Sequence, residues 1–482
     1  MAGITSYGAY IPYYRLPRSV VAKAWGKAGG RGERAVANAD EDANTMAVAA
    51  GLDCLNGVDP KTVDALFLAT TCSPYKERLN SIIVSTALDM RMESRKADFT
   101  NCIKAGTMAM SAALDAINGG SARSVMITAA DMRPSAASGE NELDFGDGGA
   151  AVLMGNENVV AEIEGSYSLF RDFPDYWRRN DDDFVRVWED RWGLDEGYRK
   201  FPVEAATGVM EKCGLSVKDI SKVCFNGPNS RRHGELAKLL GLQPEQVQDS
   251  LLDTVGNAGT ALPLMVLVAA LEEAKPGDRI LLISYGNGSD AFVLKVTDEI
   301  EKIRDRRGVK GHLEIKKTLD NYQRYLRWRG LVTLEARARP DRHPVSVSSL
   351  WRQNRNAMAL YGGKCKKCGT PQLYLNFPSL TPRICLECHA KDEFEDYQFA
   401  GKKSKIVTYS HDHLAAVPDP PNTITVIDFE GGGRGFFEMT DRDPEEVKVG
   451  LPMEMTFRNL FSAKEGVHNY FWKCKPYRGS IK

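Results

Sequence analysis

Apolar residues along positions 1–300 fall into two spacings. Short unbroken runs such as "DALFLATTC" (64–72), "RSVMITAAD" (123–131) and "GGAAVLMGN" (148–156) have strand length and no polar alternation, the pattern of strands covered on both faces. "SIIVSTALDM" (81–90) and "GTMAMSAALDAINGG" (106–120) place their apolar positions as amphipathic helices do. This alternation predicts an α/β layered domain with much buried sheet.

The pattern also repeats. "VDALFLATTCS" (63–73) resembles "ISKVCFNGPNS" (220–230), and "KADFTNCIKAGTMAMSAALDAING" (96–119) resembles "LLDTVGNAGTALPLMVLVAALEEA" (251–274). "RSVMITAADMRP" together with "GDGGAAVLMGN" parallels "DRILLISYGNGSDAFVLKV" (278–296). Two copies of one βαβ-type unit predict a pseudo-two-fold domain. Each copy offers two loops at strand ends, where α/β proteins place their sites: Thr71 and Cys102 in the first, Asn226 and Asn257 in the second.

Between the copies, residues 171–201 are aromatic, charged and poorly periodic. Two readings stand: a surface excursion, or a cap over a substrate channel with Tyr176, Trp177 and Tyr198 facing ligand. A shift to dense charge over 301–319 marks a boundary. "LDNYQRYLRWRG" (319–330) then predicts a short basic helix, whose arginines are expected on a solvated face; the alternative is docking onto the first domain or onto ligand phosphates.

Cys365, Cys368, Cys385 and Cys388 form a C-x2-C-x16-C-x2-C pattern. Each pair is a tight knuckle that brings two thiolates to one ion. Four thiolates close a tetrahedral zinc shell and leave no open catalytic position, so the site reads as structural and supplies folding energy to a small segment. Iron in place of zinc stays open, and His389 reads as a neighbour of the ligands. Downstream, "SKIVTYSHDHLAA", "NTITVIDFEGGGRGFFEMTD" and "PMEMTFRNL" predict short strands of a small all-β barrel. His411 and His413 share a strand face there, as ordinary strand histidines or as a metal pair.

The formal net charge of −1 gives no reason to expect a nucleic-acid or anionic-membrane partner. The start, "MAGITSYGAYIP", has no basic stretch leading into an apolar one, and no run reaches membrane-spanning length. Of ten cysteines, four lie in the knuckles and the rest are scattered, which fits a reducing cytoplasm.

Residues 3–300 resemble the archaeal-type 3-hydroxy-3-methylglutaryl-CoA synthases of the thiolase superfamily. The stretches that carry this are "GITSYGAYIPYYRL", "ADEDANTMAVAAG", "KAGTMAM", "GGAAVLMGN", "AEIEGSYS", "PDYWRR", "VGNAGT" and "AKPGDRILLISYGNGSDAF". Residues of about 320–475 resemble the zinc-ribbon and OB-fold domains that accompany thiolases as separate subunits, through "YLRWRGL", "WRQN", "LYGGKCKKCGT", "DPPNTITVIDFEGGGR", "TDRDPEEVKVGLPMEMTFR" and "HNYFWK". The resemblance implies an internally duplicated thiolase fold, layered α-β-α-β-α, followed by a zinc ribbon and an OB-fold barrel. The expected boundaries are 1–305 for the acyl-CoA domain, with halves of about 1–165 and 215–300 around a 166–214 cap, then 306–360 for linker and docking helices. Residues 361–395 are expected to form the ribbon and 396–482 the OB-fold. The resemblance also implies coenzyme A as part of the substrate, a homodimer, and a hydratase or thiolase partner.

The family's catalytic Glu, Cys and His do not carry over. The glutamate falls at Thr71, the histidine at Asn226, and the cysteine at Ile103, one residue after Cys102; Asn257 matches the asparagine kept by type III ketoacyl synthases. A thiolase-type condensation needs a thiolate to hold an acyl group and a base for the alpha carbon. A one-residue shift swings a side chain by about 100° on a helix, and the first histidine of the chain is His233. Cys102 therefore reads either as a nucleophile without an imidazole or as a small buried cysteine. An aldol or retro-aldol lyase needs only a base and an oxyanion hole. Asn226 and Asn257 fit as donors, with Tyr75, Tyr198, Tyr285 and Asp131 as base candidates. The leading expectation is an acyl-CoA aldolase, with Cys102, Asn226, Asn257 and Tyr285 as catalytic residues and Thr71, Tyr75, Trp177 and Tyr198 around the substrate. The alternatives are a synthase-like condensing enzyme acylated on Cys102, and a non-catalytic acyl-CoA-binding scaffold.

Overall fold

The computed structural model of the protein describes residues 1–28, 30–335, 346–373, 383–462 and 465–479. Parts of the expected linker (336–345), of the loop between the cysteine knuckles (374–382) and of the barrel region (463–464, 480–482) lie outside these residues.

The apolar runs of the first 300 residues form nine strands: β1 (Gly3–Tyr10), β2 (Ala65–Ala69), β3 (Arg95–Phe99), β4 (Ser124–Met132), β5 (Asp147–Gly155), β6 (Ala161–Phe170), β7 (Lys222–Phe225), β8 (Arg279–Tyr285) and β9 (Gly288–Val296). Their order is β7-β8-β9-β6-β1-β5-β4-β2-β3. In the first half, β1, β5 and β4 pair antiparallel in turn, and β4, β2 and β3 pair parallel. The second half repeats this: β6, β9 and β8 pair antiparallel, β8 and β7 pair parallel, and a single parallel bridge from Val223 to Val247 stands where β3 would be. The sequence repeat is thus a repeat of topology, and β1 joins the halves through β6 at Gly3–Glu162 and Ile4–Ala161.

Six helices complete the layers: α1 (Ala43–Cys54), α2 (Asn80–Ala87), α3 (Ala105–Asn118), α4 (Phe201–Cys213), α5 (Ser230–Leu239) and α6 (Leu262–Glu273). Helix α6 is buried along nearly its whole length, which is why "LPLMVLVAAL" is apolar all round rather than on one stripe. One core joins Met110 and Ile117 of α3 and Leu264 and Leu267 of α6 to Ile127 of β4 and Leu282 of β8. Helices α3 and α6 therefore lie between the two halves, with α1 and α2 outside one half and α4 and α5 outside the other, the α-β-α-β-α layering.

The C-terminal barrel is closed: β10 (Ser404–Asp412), β11 (Asn422–Phe429), β12 (Arg434–Met439), β13 (Pro452–Ser462) and β14 (His468–Pro476) run in the order β10-β11-β12-β14-β13. It does not stand apart. A single apolar cluster runs from Met46 of α1 and Ile83 of α2 to Phe457 and Trp472 of the barrel. The basic helix Tyr322–Trp328 departs from the solvated face expected of it. Tyr322 and Tyr325, three apart and so on one face, pack on Tyr14, Leu16 and Val21. Its arginines are spent on both domains: Arg324 pairs with Asp419, Arg327 donates to the Val417 carbonyl, and the following Arg329 pairs with Asp147. Among the described residues no helix is long and apolar enough to cross a membrane.

Candidate active site

The strand-end loops of the two halves converge. The carboxylate of Asp131, fully buried near the end of β4, accepts from the Thr70 hydroxyl (2.9 Å), the Thr71 amide (2.7 Å), the Thr71 hydroxyl (2.9 Å) and the Thr260 amide (2.8 Å). It thereby ties the β2 loop of the first half to the α6 approach of the second. Thr260 donates in turn to the Cys102 carbonyl at 3.3 Å. The approach is tight because Gly259 has φ +56°, and a side chain there would meet the Asp131 carboxylate at 2.3 Å.

Cys102 follows Asn101, which holds a left-handed φ of 67°, and precedes α3. Its thiol is half-buried and donates to the Gly286 carbonyl at 3.4 Å, just past β8. Burial raises the thiol above its ordinary pKa, against the smaller opposing pull of the Lys104 amide and ammonium. Ile103 faces Gly286, where an added side-chain carbon would lie 3.3 Å from the Ile103 Cβ and 2.9 Å from the Lys104 amide nitrogen. The elbow is anchored below by a buried ion pair, Lys104–Asp290 at 2.9 Å, and Asp290 also accepts from the hydroxyls of Thr107 (2.8 Å) and Ser168 (2.5 Å).

The Asn226 side chain clasps the Tyr285 backbone: its Nδ2 donates to the Tyr285 carbonyl at 3.1 Å and its Oδ1 accepts from the Tyr285 backbone N–H at 2.8 Å. Asn257 donates to the Gly227 carbonyl (3.3 Å) and accepts from the Gly259 amide (3.0 Å), which leaves one of its two N–H groups uncommitted. The Tyr198 hydroxyl donates to the Asn226 carbonyl at 2.9 Å, and its ring meets Tyr285 edge-on at 5.3 Å. The site thus gathers Thr71, Cys102, Asn226, Asn257, Tyr285 and Tyr198. Trp177 lies on the short cap hairpin, half-buried and 6.4 Å from Trp188. Tyr75 sits at the barrel instead: its hydroxyl accepts the His468 amide at 2.8 Å and its ring meets the His468 ring at 4.7 Å.

Two residues of the site carry no strong sequence signal. Asp175, in the cap, accepts from the Tyr285 hydroxyl at 2.5 Å and from the Tyr176 amide at 2.9 Å. Burial pushes its carboxyl above the ordinary range, and burial plus Asp175 pushes the Tyr285 phenol upward. Both line a small cleft under the cap, together with Tyr176, Trp188, Leu194 and Tyr198. The second is Arg133, a buried guanidinium 3.8 Å from the Phe145 ring centre and 5.6 Å from that of Tyr176. The only hint of Asp175 in the sequence is its place in "PDYWRR"; Arg133 has none. His233 does not supply an imidazole to this site: it lies flat on Phe225 at 3.8 Å, and burial lowers it to about 4.

The four knuckle thiols form one cluster, with all Sγ atoms within 4.8 Å of one another. Cys365 and Cys388 lie 3.6 Å apart and Cys368 and Cys385 3.5 Å apart. A tetrahedral ion with Zn–S distances of about 2.3 Å separates sulfurs by roughly 3.8 Å, so the four residues fit a metal ion. His389, with φ +56°, donates its backbone N–H to the Cys385 carbonyl and belongs to the knuckle turn. His411 bonds Thr423 at 2.9 Å, with its ring 6.3 Å from that of His413.

Comparison with known proteins agrees with this layout. A family model of the 3-oxoacyl-[acyl-carrier-protein] synthase III C-terminal region matches residues 210–296, and one of the C-terminal OB-fold domain of ChsH2 matches residues 397–458. The hydroxymethylglutaryl-CoA synthase of Methanosarcina mazei is 35% identical over 346 residues, 69% of this chain and 99% of its own. That of Methanopyrus kandleri is 35% identical over 316 residues, 63% of this chain and 90% of its own. Among solved structures, an HMG-CoA synthase complexed with CoA superposes with a TM-score of 0.60 at 19% identity, covering 67% of this chain and 89% of that one. The 3-oxoacyl-[acyl-carrier-protein] synthase III of Aquifex aeolicus does so at 0.54 and 21% identity, covering 61% and 100%. The structural likenesses speak for the fold and the curated relatives for the family: the chain belongs to the hydroxymethylglutaryl-CoA synthases of the thiolase superfamily, with an OB-fold barrel fused behind the thiolase fold.

Proposed function

We propose that the protein is an acyl-CoA condensing enzyme of the hydroxymethylglutaryl-CoA synthase type, joining the alpha carbon of an acyl thioester to a second carbonyl carbon. The observation that carries this reading is 35% identity across 99% of a relative of that name. A solved relative of the same fold that holds CoA supports the acyl-CoA substrate. These likenesses favour condensation over the aldol lyase expected from the missing Cys/His/Glu set.

The step removes a proton next to the thioester and steadies the enolate oxygen while the new bond forms. Asp175 is the base: a buried carboxylate on the cleft wall with a raised pKa. The free N–H of Asn257 is the oxyanion donor. In the two-step form of the reaction Cys102 carries the acyl group. The four cysteines hold a structural zinc, and a second copy of the chain pairs along β3, which ends the sheet.

One observation favours a second reading. Burial raises the Cys102 thiol, which donates to the Gly286 carbonyl, with no imidazole beside it among the described residues. The same base and donor would then run an aldol addition, or its reverse, directly on the CoA ester with no acyl-enzyme. Incubation with acetyl-CoA followed by peptide mass spectrometry separates the two. Condensation through Cys102 predicts an acetylated 102 peptide and near-total loss of turnover in Cys102→Ala. No adduct, with activity kept in Cys102→Ala and lost in Asn257→Ala, would establish the direct route.

A further inference from the structure

We propose that Arg133 holds a carboxylate at the far end of the acyl chain, so that the preferred substrates are acyl-CoA esters carrying a terminal acid. This rests on the acyl-CoA reading above. Six arginines are buried among the described residues: Arg15, Arg18, Arg34, Arg133, Arg442 and Arg458. Five have evident partners, such as the His312 carbonyl for Arg15, Asp253 for Arg18, the Phe145 carbonyl for Arg34, Asp419 for Arg442 and Glu41 for Arg458. Arg133 makes no such hydrogen bond or ion pair among the described residues; its Nε and Nη1 are buried without a partner, and the residue is only 5% exposed.

An arginine cannot shed its proton, so it cannot escape burial as a lysine can. An unpaired buried cation is heavily penalised, and a native chain retains one where a ligand completes it. The nearby acids do not serve. Asp131 is already filled by Thr70, Thr71 and Thr260, and Asp175 by Tyr285 and Tyr176. The guanidinium lies against the Phe145 ring and near that of Tyr176, and Tyr176 also lines the cleft beneath the cap. A planar monoanion suits this enclosed fork. The phosphates of CoA, with more charge and a larger hydration shell to lose, do not.

Calorimetric titration of the full chain with glutaryl-CoA, its neutral counterpart pentanoyl-CoA, and free CoA tests the proposal. Wild type should bind glutaryl-CoA at least tenfold tighter than pentanoyl-CoA. Arg133→Gln should bring the ratio of the two affinities to near one, and Arg133→Lys should keep part of the preference. Equal binding of the two esters by wild type, or a tenfold preference surviving in Arg133→Gln, overturns the proposal. The wild-type comparison stands even if a variant fails to fold. The CoA arm reads the underlying reading alone: if wild type binds no CoA, the acyl-CoA assignment falls and the proposal with it, whereas CoA binding without discrimination removes only the role of Arg133.

Discussion

At the scale of single residues, burial does the chemical tuning. Asp175 and Tyr285 lie 110 positions apart and become a pair only because the cap folds over the end of β8. Burial raises the Asp175 carboxyl, and a base works only when ionised. Turnover should therefore fail on the acid side at a pH above the usual carboxylate value of about 4. Asp175→Asn should lower kcat by about 10²–10⁴-fold with CoA binding kept; wild-type-like rates in steady-state assays of that variant would remove Asp175 from the mechanism. That Thr71, Cys102, Asn226 and Asn257 come together was legible because strand ends repeat in the sequence. The contact of Tyr75 with His468 spans 393 positions and left no mark on either neighbourhood.

At the scale of elements, the start of α3 sets where the elbow points. Lys104 and Asp290 are almost wholly buried, and Lys104 also donates to the Leu169 carbonyl at 3.1 Å. This one contact joins α3 of the first half to β9 and β6 of the second. Asp290→Ala strands a buried ammonium and should cost roughly 3–5 kcal/mol, read as a fall in the denaturant midpoint with unchanged slope. A loss under 1 kcal/mol would mean that water reaches Lys104. The strands and helices themselves were visible from period and length, and α6 from its unbroken apolar run. The docking of the basic helix was not, since arginines facing water and arginines facing partner carboxylates look alike in sequence.

At the scale of the whole molecule, the barrel and the thiolase fold share one core and one buried charge cluster. Arg458 of β13 pairs with Asp40 (3.0 Å), Glu41 (2.9 Å) and Asp441. Burial outweighs Arg458 and raises Glu41 from 4.5 to about 7. A raised acid holds its proton more tightly folded than unfolded, so its stabilising share is full below pH 4.5 and is lost as pH rises to about 7. Stability should fall across that window, and Glu41→Gln should flatten that part of the curve in pH-dependent thermal melts; an unchanged slope would exclude it. If the four cysteines hold a metal as proposed, chelation should speed hydrogen exchange in the knuckle strand Tyr361–Cys365 while β4 and β5 stay protected; equal loss in both would make the metal a support of the whole chain. A duplicated α/β domain, the paired-cysteine spacing and a small all-β barrel could be read from the chain alone. Each follows from local period or spacing, and each would read the same in any surroundings. Tertiary packing was needed to show that the barrel covers α1 and α2, that Asp175 joins Tyr285 under the cap, and that Arg133 is buried against two rings with no hydrogen-bond or ion-pair partner among the described residues. Those depend on which distant side chains exclude water from one another, and water exclusion is a property of the assembled fold.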